Sequence, residues 1–461
     1  MPQSRRQFFK IVAYGGLFSL SGKIALAEND DSHQSKSLDQ ALQLESVICK
    51  PLDPITVDIA SNGIVSVRDA QGNEYVRRSA AAPFSFRVAG AIGRHTVTLQ
   101  GEAGKLLDFA TFPVDCRTEI VDAEAEFYSL FNILHRSMIG HDGVACYARV
   151  FRINQTDTFY HCFVPWLRDH VHTLKGLKYF YPELKTGIDL YADFQRVDGM
   201  IWDNIEPRSA EKNIWDLRFS KGDFILPIEN STLEFKRIPV ENDVEYLFIE
   251  GLYFTWKATG DTNWMAKRLD QALKALKYST SDPYRWSQNY QLLKRGFTID
   301  TWDFVSQQDI VGYIGQAPDS MIVDPARTRF GIMFGDNTGM ATSCRYLAEM
   351  LAYVGREAEA NRVSTIGQQL LERLNQLAWN GRFYTHHIPE DRTVKRDFGV
   401  DQAHQISLSN AYSLNRDISH AQCVAIIQSY QALRQQMPPS SPGEWYTIYP
   451  PFPTGFEIPV W

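Results

Sequence analysis

Apolar and polar side chains alternate in short runs from about Val47 to Leu107, and a 3.6-residue apolar period takes over from about Ala123. Ile55-Thr-Val-Asp-Ile59, Ile64-Val-Ser-Val-Arg68 and His95-Thr-Val-Thr-Leu99 are the clearest alternating runs. Gly63, Asp69 to Gly72 and Gly90 to Gly93 punctuate them. Alternation with period two puts one face of a strand in a core and the other in water, so 46–122 reads as an antiparallel β-sandwich. In the later region Val244, Leu247, Phe248, Gly251 and Leu252 mark one helical face, and Leu269, Ala272, Leu273 and Leu276 mark the next. Leu347, Met350, Leu351 and Val354 repeat the pattern, answered by Ile366, Leu370, Leu374 and Leu377. Tight turns separate the members of each pair, at Tyr181-Pro182, Ala258 to Asp261, Gly355-Arg356 and Asn415 to Ser419, and Asp261 and Ser419 are the expected N-caps. Four αα-hairpins are predicted, at 165–197, 241–282, 337–378 and 405–436. Long connections at 198–240, 283–336 and 379–404 join them. Short turns on one rim and long loops on the other describe an α/α toroid, mainly α, over 123–461, with its site on the long-loop rim.

The N-terminus carries a different signal. Ser4-Arg5-Arg6-Gln7-Phe8-Phe9-Lys10 matches the twin-arginine export pattern, Ile11 to Leu20 is an apolar run too short to span a bilayer, and Ala25-Leu26-Ala27 is a small-residue cleavage site. A signal peptide over 1–27 is expected, then a polar, disordered lead over 28–45, with the mature protein periplasmic or extracellular and not held in a membrane. Six cysteines, at 49, 116, 146, 162, 344 and 423, form no C-x-x-C. Cys146–Cys162 is the nearest pair for a disulfide, but free buried thiols fit a twin-arginine substrate that folds before export. A net charge of −7 leaves nothing to neutralise a run of phosphates, which argues against nucleic acid.

Candidate chemistry gathers between Lys294 and Met340. Asp300, Asp303 and Asp336 stand there beside Trp302, Phe304, Phe330 and Phe334. Carboxyl groups among aromatic faces suit glycosidic-bond cleavage, in which one carboxyl protonates the leaving oxygen, another activates water or attacks the anomeric carbon, and rings stack on the sugar. Trp166, Arg168 and Asp169 at the first hairpin, followed by His170 and His172, would stack on a sugar and bond its hydroxyls. Trp202, Asp203 and Glu206 in the next long loop could line the same cleft. Glu245 and Glu250 lie on a predicted inner helix, and burying them unpaired is costly, so at least one is expected to face the cleft. Adjacent His386 and His387, near Glu390, point to opposite faces of an extended segment and read as a β-turn-β ornament rather than a metal site. No nucleotide or zinc-protease motif occurs, and no cofactor is expected.

The sequences F-V-P-W-L-R-D-H (163–170), E-Y-L-F-I-E-G (245–251), W-K-A-T-G-D (256–261), F-G-D-N-T-G-M (334–340) and W-N-G-R-F-Y-T-H-H (379–387) resemble the six-hairpin (α/α)6 glycosidases. That group includes glucoamylases, debranching glucosidases, processing α-glucosidases and trehalases. The resemblance implies a cofactor-free glycoside hydrolase acting on an oligosaccharide or polysaccharide, with inversion as the stereochemistry. Two templates compete for the general acid. Thr301-Trp302-Asp303 is similar to a T-W-x-D motif without its intervening residue, and Gly335-Asp336-Asn337 is similar to a shortened G-x-D-[DN] loop. A helix N-terminus would hold Asp336 ionised, whereas Trp302 and Phe304 flank Asp303, so Asp303 is favoured as acid, with Asp300 or Asp336 shaping its field. The base of such enzymes lies late in the chain, where Glu444, followed by Trp445, and Glu457 are the stand-ins. Six hairpins need twelve helices against eight counted, so the last hairpins are expected to be missing and the sequence to be a truncated product. A non-catalytic glycan-binding protein and a toroid polysaccharide lyase or epimerase are the alternatives.

Overall fold

In a computed structural model, residues 41–461 are described except 45–47, 116–125, 139–148, 153–158, 180, 182, 209–223, 297–303, 307–311, 315–316, 320–322, 324–327, 394–398, 442, 445–447, 454–456 and 460–461. Asp300, Trp302, Asp303 and Trp445 therefore lie outside the described residues, as does the whole signal and lead segment to Gln40.

The alternating region forms seven strands: β1 (Leu42–Leu44), β2 (Pro54–Ile59), β3 (Gly63–Arg68), β4 (Glu74–Ala80), β5 (Phe84–Arg87), β6 (Gly93–Gln100) and β7 (Leu106–Val114). They make two antiparallel sheets, ordered β1-β2-β5 and β4-β3-β6-β7. The three alternating runs expected as strands fall in β2, β3 and β6. Every second residue of β2 is buried, and Val57 meets Phe84 across the ladder as Val67 meets Val97. The inner faces of both sheets share one core of Ile55, Val57, Phe84 and Phe86 with Val65, Val67, Val97, Leu99 and Phe112. Each such buried aliphatic contributes roughly 1.5–3 kcal/mol, which is why the polar positions of these strands can be almost any residue.

Nine helices follow among the described residues: α1 (Glu126–Met138), α2 (Leu167–Leu177), α3 (Lys185–Asp193), α4 (Val244–Thr259), α5 (Thr262–Ser279), α6 (Phe334–Tyr353), α7 (Glu357–Ala378), α8 (Ser409–Ser413) and α9 (His420–Arg434). The protein thus combines helices with several antiparallel sheets. α2 to α9 occupy the four segments expected to be helical, and α1 is an addition. Both expected N-caps form: Asp261 accepts from Trp264 N at 2.9 Å, and Ser419 and Gln422 build a reciprocal capping box. Gly260 ends α4 in a left-handed conformation (φ 66°), where an added Cβ would stand 2.5 Å from Val88 O of the β unit.

Burial separates the members of the long pairs. α4 and α6 are buried on nearly every face, whereas α5 and α7 bury one stripe each, Met265, Leu269, Ala272 and Leu276 on α5 and Val363, Leu370 and Leu374 on α7. α2 packs on α4, α4 on α6, and α6 on α8. Tyr253 of α4 stacks on Tyr346 of α6 at 4.1 Å, and Gly339 leaves room for the end of the Tyr246 ring, which an added Cβ would meet at 2.6 Å. In the pairs α4–α5 and α6–α7 the first helix is interior and the second covers it. The long connections bring short strands to the heads of the interior helices. Asn204–Pro207 pairs with Leu233–Lys236 ahead of α4, and Phe330–Met333 pairs with Arg295–Gly296 and His387–Pro389 ahead of α6. No helix among the described residues is long and apolar enough to cross a membrane. Cys162 and Cys344 are buried free thiols, and Cys423 is a half-buried one.

Candidate active site

The heads of the interior helices concentrate buried charge. Asp243 occupies the N-cap position of α4 but does not cap it, because its carboxylate is taken by Arg168 of α2. Arg168 donates Nε at 2.6 Å and an NH2 at 2.8 Å to the two Asp243 oxygens and lies 2.5 Å from Glu241 Oε2. This paired fork holds Asp243 ionised, well below the usual carboxylate range, against the cost of burial. Behind it Arg237, wholly buried, reaches Glu245 Oε2 at 3.1 Å, Asp203 Oδ1 at 3.3 Å and the Glu241 carbonyl at 2.8 Å. Glu245 also accepts from Ile201 N at 3.2 Å, and Asp203 from Ile238 N. Burial and the neighbouring Glu241 carboxyl push Asp203 well above its ordinary pKa. Arg285, also buried, donates to the Glu241 carbonyl, so the 237–243 segment is clamped from two sides.

Asp336, in the first turn of α6, stands apart from this network. Arg295 stands with NH1 3.8 Å from its Oδ1, and its Oδ2 is buried without a hydrogen-bond partner among the described residues. Burial pushes its pKa up to about 6, opposed by Arg295 and then Arg416 and aided by the Asp243 charge. The shift runs opposite to the lowering expected of a helix N-terminus. A helix dipole supplies about 0.3–1 kcal/mol at exposed sites and up to ~2 kcal/mol at best, less than the roughly 3 kcal/mol that a rise from 3.8 to about 6 represents. The head of α6 is otherwise rigid. Asn337 accepts from Leu293 N at 2.8 Å and donates to Leu293 O at 3.0 Å and Met333 O at 3.1 Å, while Arg416 donates to Gly335 O at 2.6 Å and Thr338 Oγ1 at 2.7 Å. Phe334 stacks on Tyr384 at 5.2 Å. His386 is buried near Arg295, and burial lowers its pKa to about 4, so it is neutral at ordinary pH.

The expected site residues divide accordingly. Arg168, Asp203 and Glu245 meet in one network, but Asp203 and Glu245 are spent on Arg237 rather than turned to a cleft. Glu250 pairs with Lys175 at 2.7 Å. Trp202 is a core residue, 2% exposed, donating Nε1 to Phe194 O at 2.7 Å. Glu206 pairs with Lys236. Trp166 is half-buried at the head of α2 against Ile238 and Val240, and Asp169 is exposed one residue past Arg168. His170 is buried, its pKa lowered to about 3, and stacks on Phe163 at 5.0 Å. Glu444 is half-buried with Arg434 Nε at 3.7 Å. Among the described residues no group of histidine, cysteine and acidic side chains could hold a metal ion. The residues overlooked in the sequence are Arg237, Glu241, Asp243, Arg295 and Arg416. Three acids within Glu241-Asn-Asp-Val-Glu245, directly ahead of an apolar helix, were the available signal for two of them.

No family model matches the chain, and no curated protein matches it. Among solved structures, a GH78 family rhamnosidase of Bacillus sp. GL1 aligns over 86% of this chain and 39% of its own, with 12% identity and a TM-score of 0.41. An α-L-rhamnosidase from Dictyoglumus thermophilum aligns over 75% and 37%, with 11% identity and a TM-score of 0.32. A family 76 glycoside hydrolase from a bovine Bacteroides thetaiotaomicron strain aligns over 77% and 68%, with 10% identity and a TM-score of 0.27. The chain spans about two fifths of the length of the two rhamnosidases. The similar structures are largely glycoside hydrolases, with a polysaccharide lyase among them, and likenesses this weak carry no argument about the chemistry of the site.

Proposed function

We propose that the protein is a glycoside hydrolase with Asp336 as its general acid. The observation that carries this reading is the Asp336 carboxyl, buried at the head of an interior helix, with one oxygen that has no hydrogen-bond partner among the described residues and a pKa raised to about 6. A carboxyl so poised is protonated in mildly acidic solution and can deliver its proton to a glycosidic oxygen. As that C–O bond breaks, water attacks the anomeric carbon and a base takes the water proton. Glu444 is the proposed base, inversion the proposed outcome, and Asp303 the competing acid on the same long connection. The rest of the frame is proposed with it: a β-sandwich over 46–122, an α/α toroid over 123–461 with its site on the long-loop rim, and export by the twin-arginine route to the periplasm or beyond. Packing of α2 on α4, α4 on α6 and α6 on α8, with α5 and α7 covering α4 and α6, supports the toroid.

The test is incubation of the purified protein with gluco-, manno- and galacto-oligosaccharides, each hit followed by anomeric NMR. Net hydrolysis with inverted product supports the reading. Unsaturated products indicate a lyase, and binding without turnover indicates a glycan-binding protein.

A further inference from the structure

A cavity of about 670 Å³ opens where the two long connections around α6 and α7 meet. Its wall is formed by Asn289 and Tyr290 from one turn, Thr328 and Phe330 at the start of a strand, and Glu390 and Arg392 from the facing strand end. That volume lies within the range of small-molecule sites, about 300–1,000 Å³. Two half-buried aromatic rings line it, and each is held in place by a cation. Arg392 Nε donates to the Tyr290 hydroxyl at 2.7 Å with its guanidinium 5.5 Å from the ring centre. Lys294 Nζ stands 4.6 Å from the Phe330 ring centre and is fixed by Glu390 Oε2 at 3.1 Å. Holding rings this way removes the cost of ordering them on binding.

We propose that this cavity binds a neutral pyranose unit of a glycan chain. Ring faces offer flat apolar surface to the C–H face of a sugar, while the Asn289 amide, the Thr328 hydroxyl and the Glu390 carboxylate offer donors and acceptors for its hydroxyls. The wall carries two cations, Arg329 and Arg392, against two carboxylates, Glu390 and Asp391, so its charges balance and a neutral ring suits it better than an acidic one. The strand Phe330–Met333 and the first turn of α6 lead from this cavity to Asp336, a chain distance of about 10–15 Å. On the glycosidase reading the cavity is therefore a subsite remote from Asp336, one that selects longer chains. This inference rests on the glycosidase reading only for its connection to Asp336; the binding stands alone.

The experiment measures binding of a chain-length series, two to six units, of the neutral oligosaccharides above by saturation-transfer NMR, on the full chain. Wild type is expected to bind the longer members at least tenfold more tightly than the disaccharides. Tyr290→Ala and the volume-conserving Phe330→Leu are expected to remove that gain, with unchanged thermal melting and unchanged disaccharide binding. Absence of a length gain, a gain that survives both variants, or no binding by any member overturns the proposal. Turnover with no effect of these variants fails the subsite alone, whereas length-dependent binding without turnover fails the glycosidase reading alone.

Discussion

Asp243 and Asp336 stand at the heads of consecutive interior helices, yet their pKa values move in opposite directions. Asp243 meets the Arg168 guanidinium through two short hydrogen bonds and stays ionised. Asp336 has a cation only at 3.8 Å and an oxygen with no partner among the described residues, and its pKa rises to about 6. Helix position is common to both, so it does not decide the state. What decides it is whether a donor replaces the water that burial removes. The first arrangement is spent on its ion pair, and the second keeps a proton available in mildly acidic solution.

The largest effect is expected where the paired side is broken. Arg237→Met leaves Asp203 and Glu245 buried without their cation and should cost about 3–5 kcal/mol, read from the urea midpoint at constant slope. Adding Asp203→Asn and Glu245→Gln should recover part of the loss, because neutral groups no longer need the guanidinium. Failure of the single variant to destabilise would mean that the network is solvated rather than buried.

On the unpaired side the sign reverses. The folded pKa of Asp336 lies above its ordinary value of 3.8, so the folded state binds more protons between 3.8 and about 6 and stability from this group falls as pH rises through that window. Asp336→Asn removes the slope. Above pH 6 the variant should be the more stable protein, by at most roughly 3 kcal/mol, and the two should converge toward pH 4. Arg295→Gln sharpens the comparison further, since that cation holds the Asp336 pKa down. In a carboxyl ¹³C titration the Asp336 resonance, assigned by its loss in Asp336→Asn, should titrate at higher pH in Arg295→Gln. The smallest effect belongs to a solvent-facing helix head: Ser419→Ala breaks the capping box on α9 and should cost about 1 kcal/mol in thermal melting.

The hairpins were legible because α5 and α7 each bury one stripe and because Gly260-Asp261 and Gly355 mark sharp turns. Strands β2, β3 and β6 were legible for the parallel reason. β4 was not, since Glu74, Arg77 and Arg78 leave its alternation mostly exposed. At the site, the acidic cluster could be read, but the allotment of partners could not. Trp202 looked like a sugar platform and is core, because Phe194 and Phe235 arrive from other elements to cover it. Glu245 looked like a cleft residue, yet Arg237, eight residues earlier, folds back onto it. The Asp336 pKa depends on burial and on Arg295, Asp243 and Arg416, which distant parts of the chain bring to it, and a local rule about helix ends has no access to that.

The most direct measurement compares wild type with Asp336→Asn and Asp303→Asn on an unactivated oligosaccharide and on an aryl glycoside with a good leaving group, across pH. With Asp336 as the acid, wild-type kcat/KM falls above about pH 6, and Asp336→Asn loses roughly 10²–10⁴-fold on the unactivated substrate. The aryl glycoside should be partly spared, and sugar binding retained. Full activity in Asp336→Asn, with the leaving-group pattern appearing in Asp303→Asn instead, contradicts the assignment.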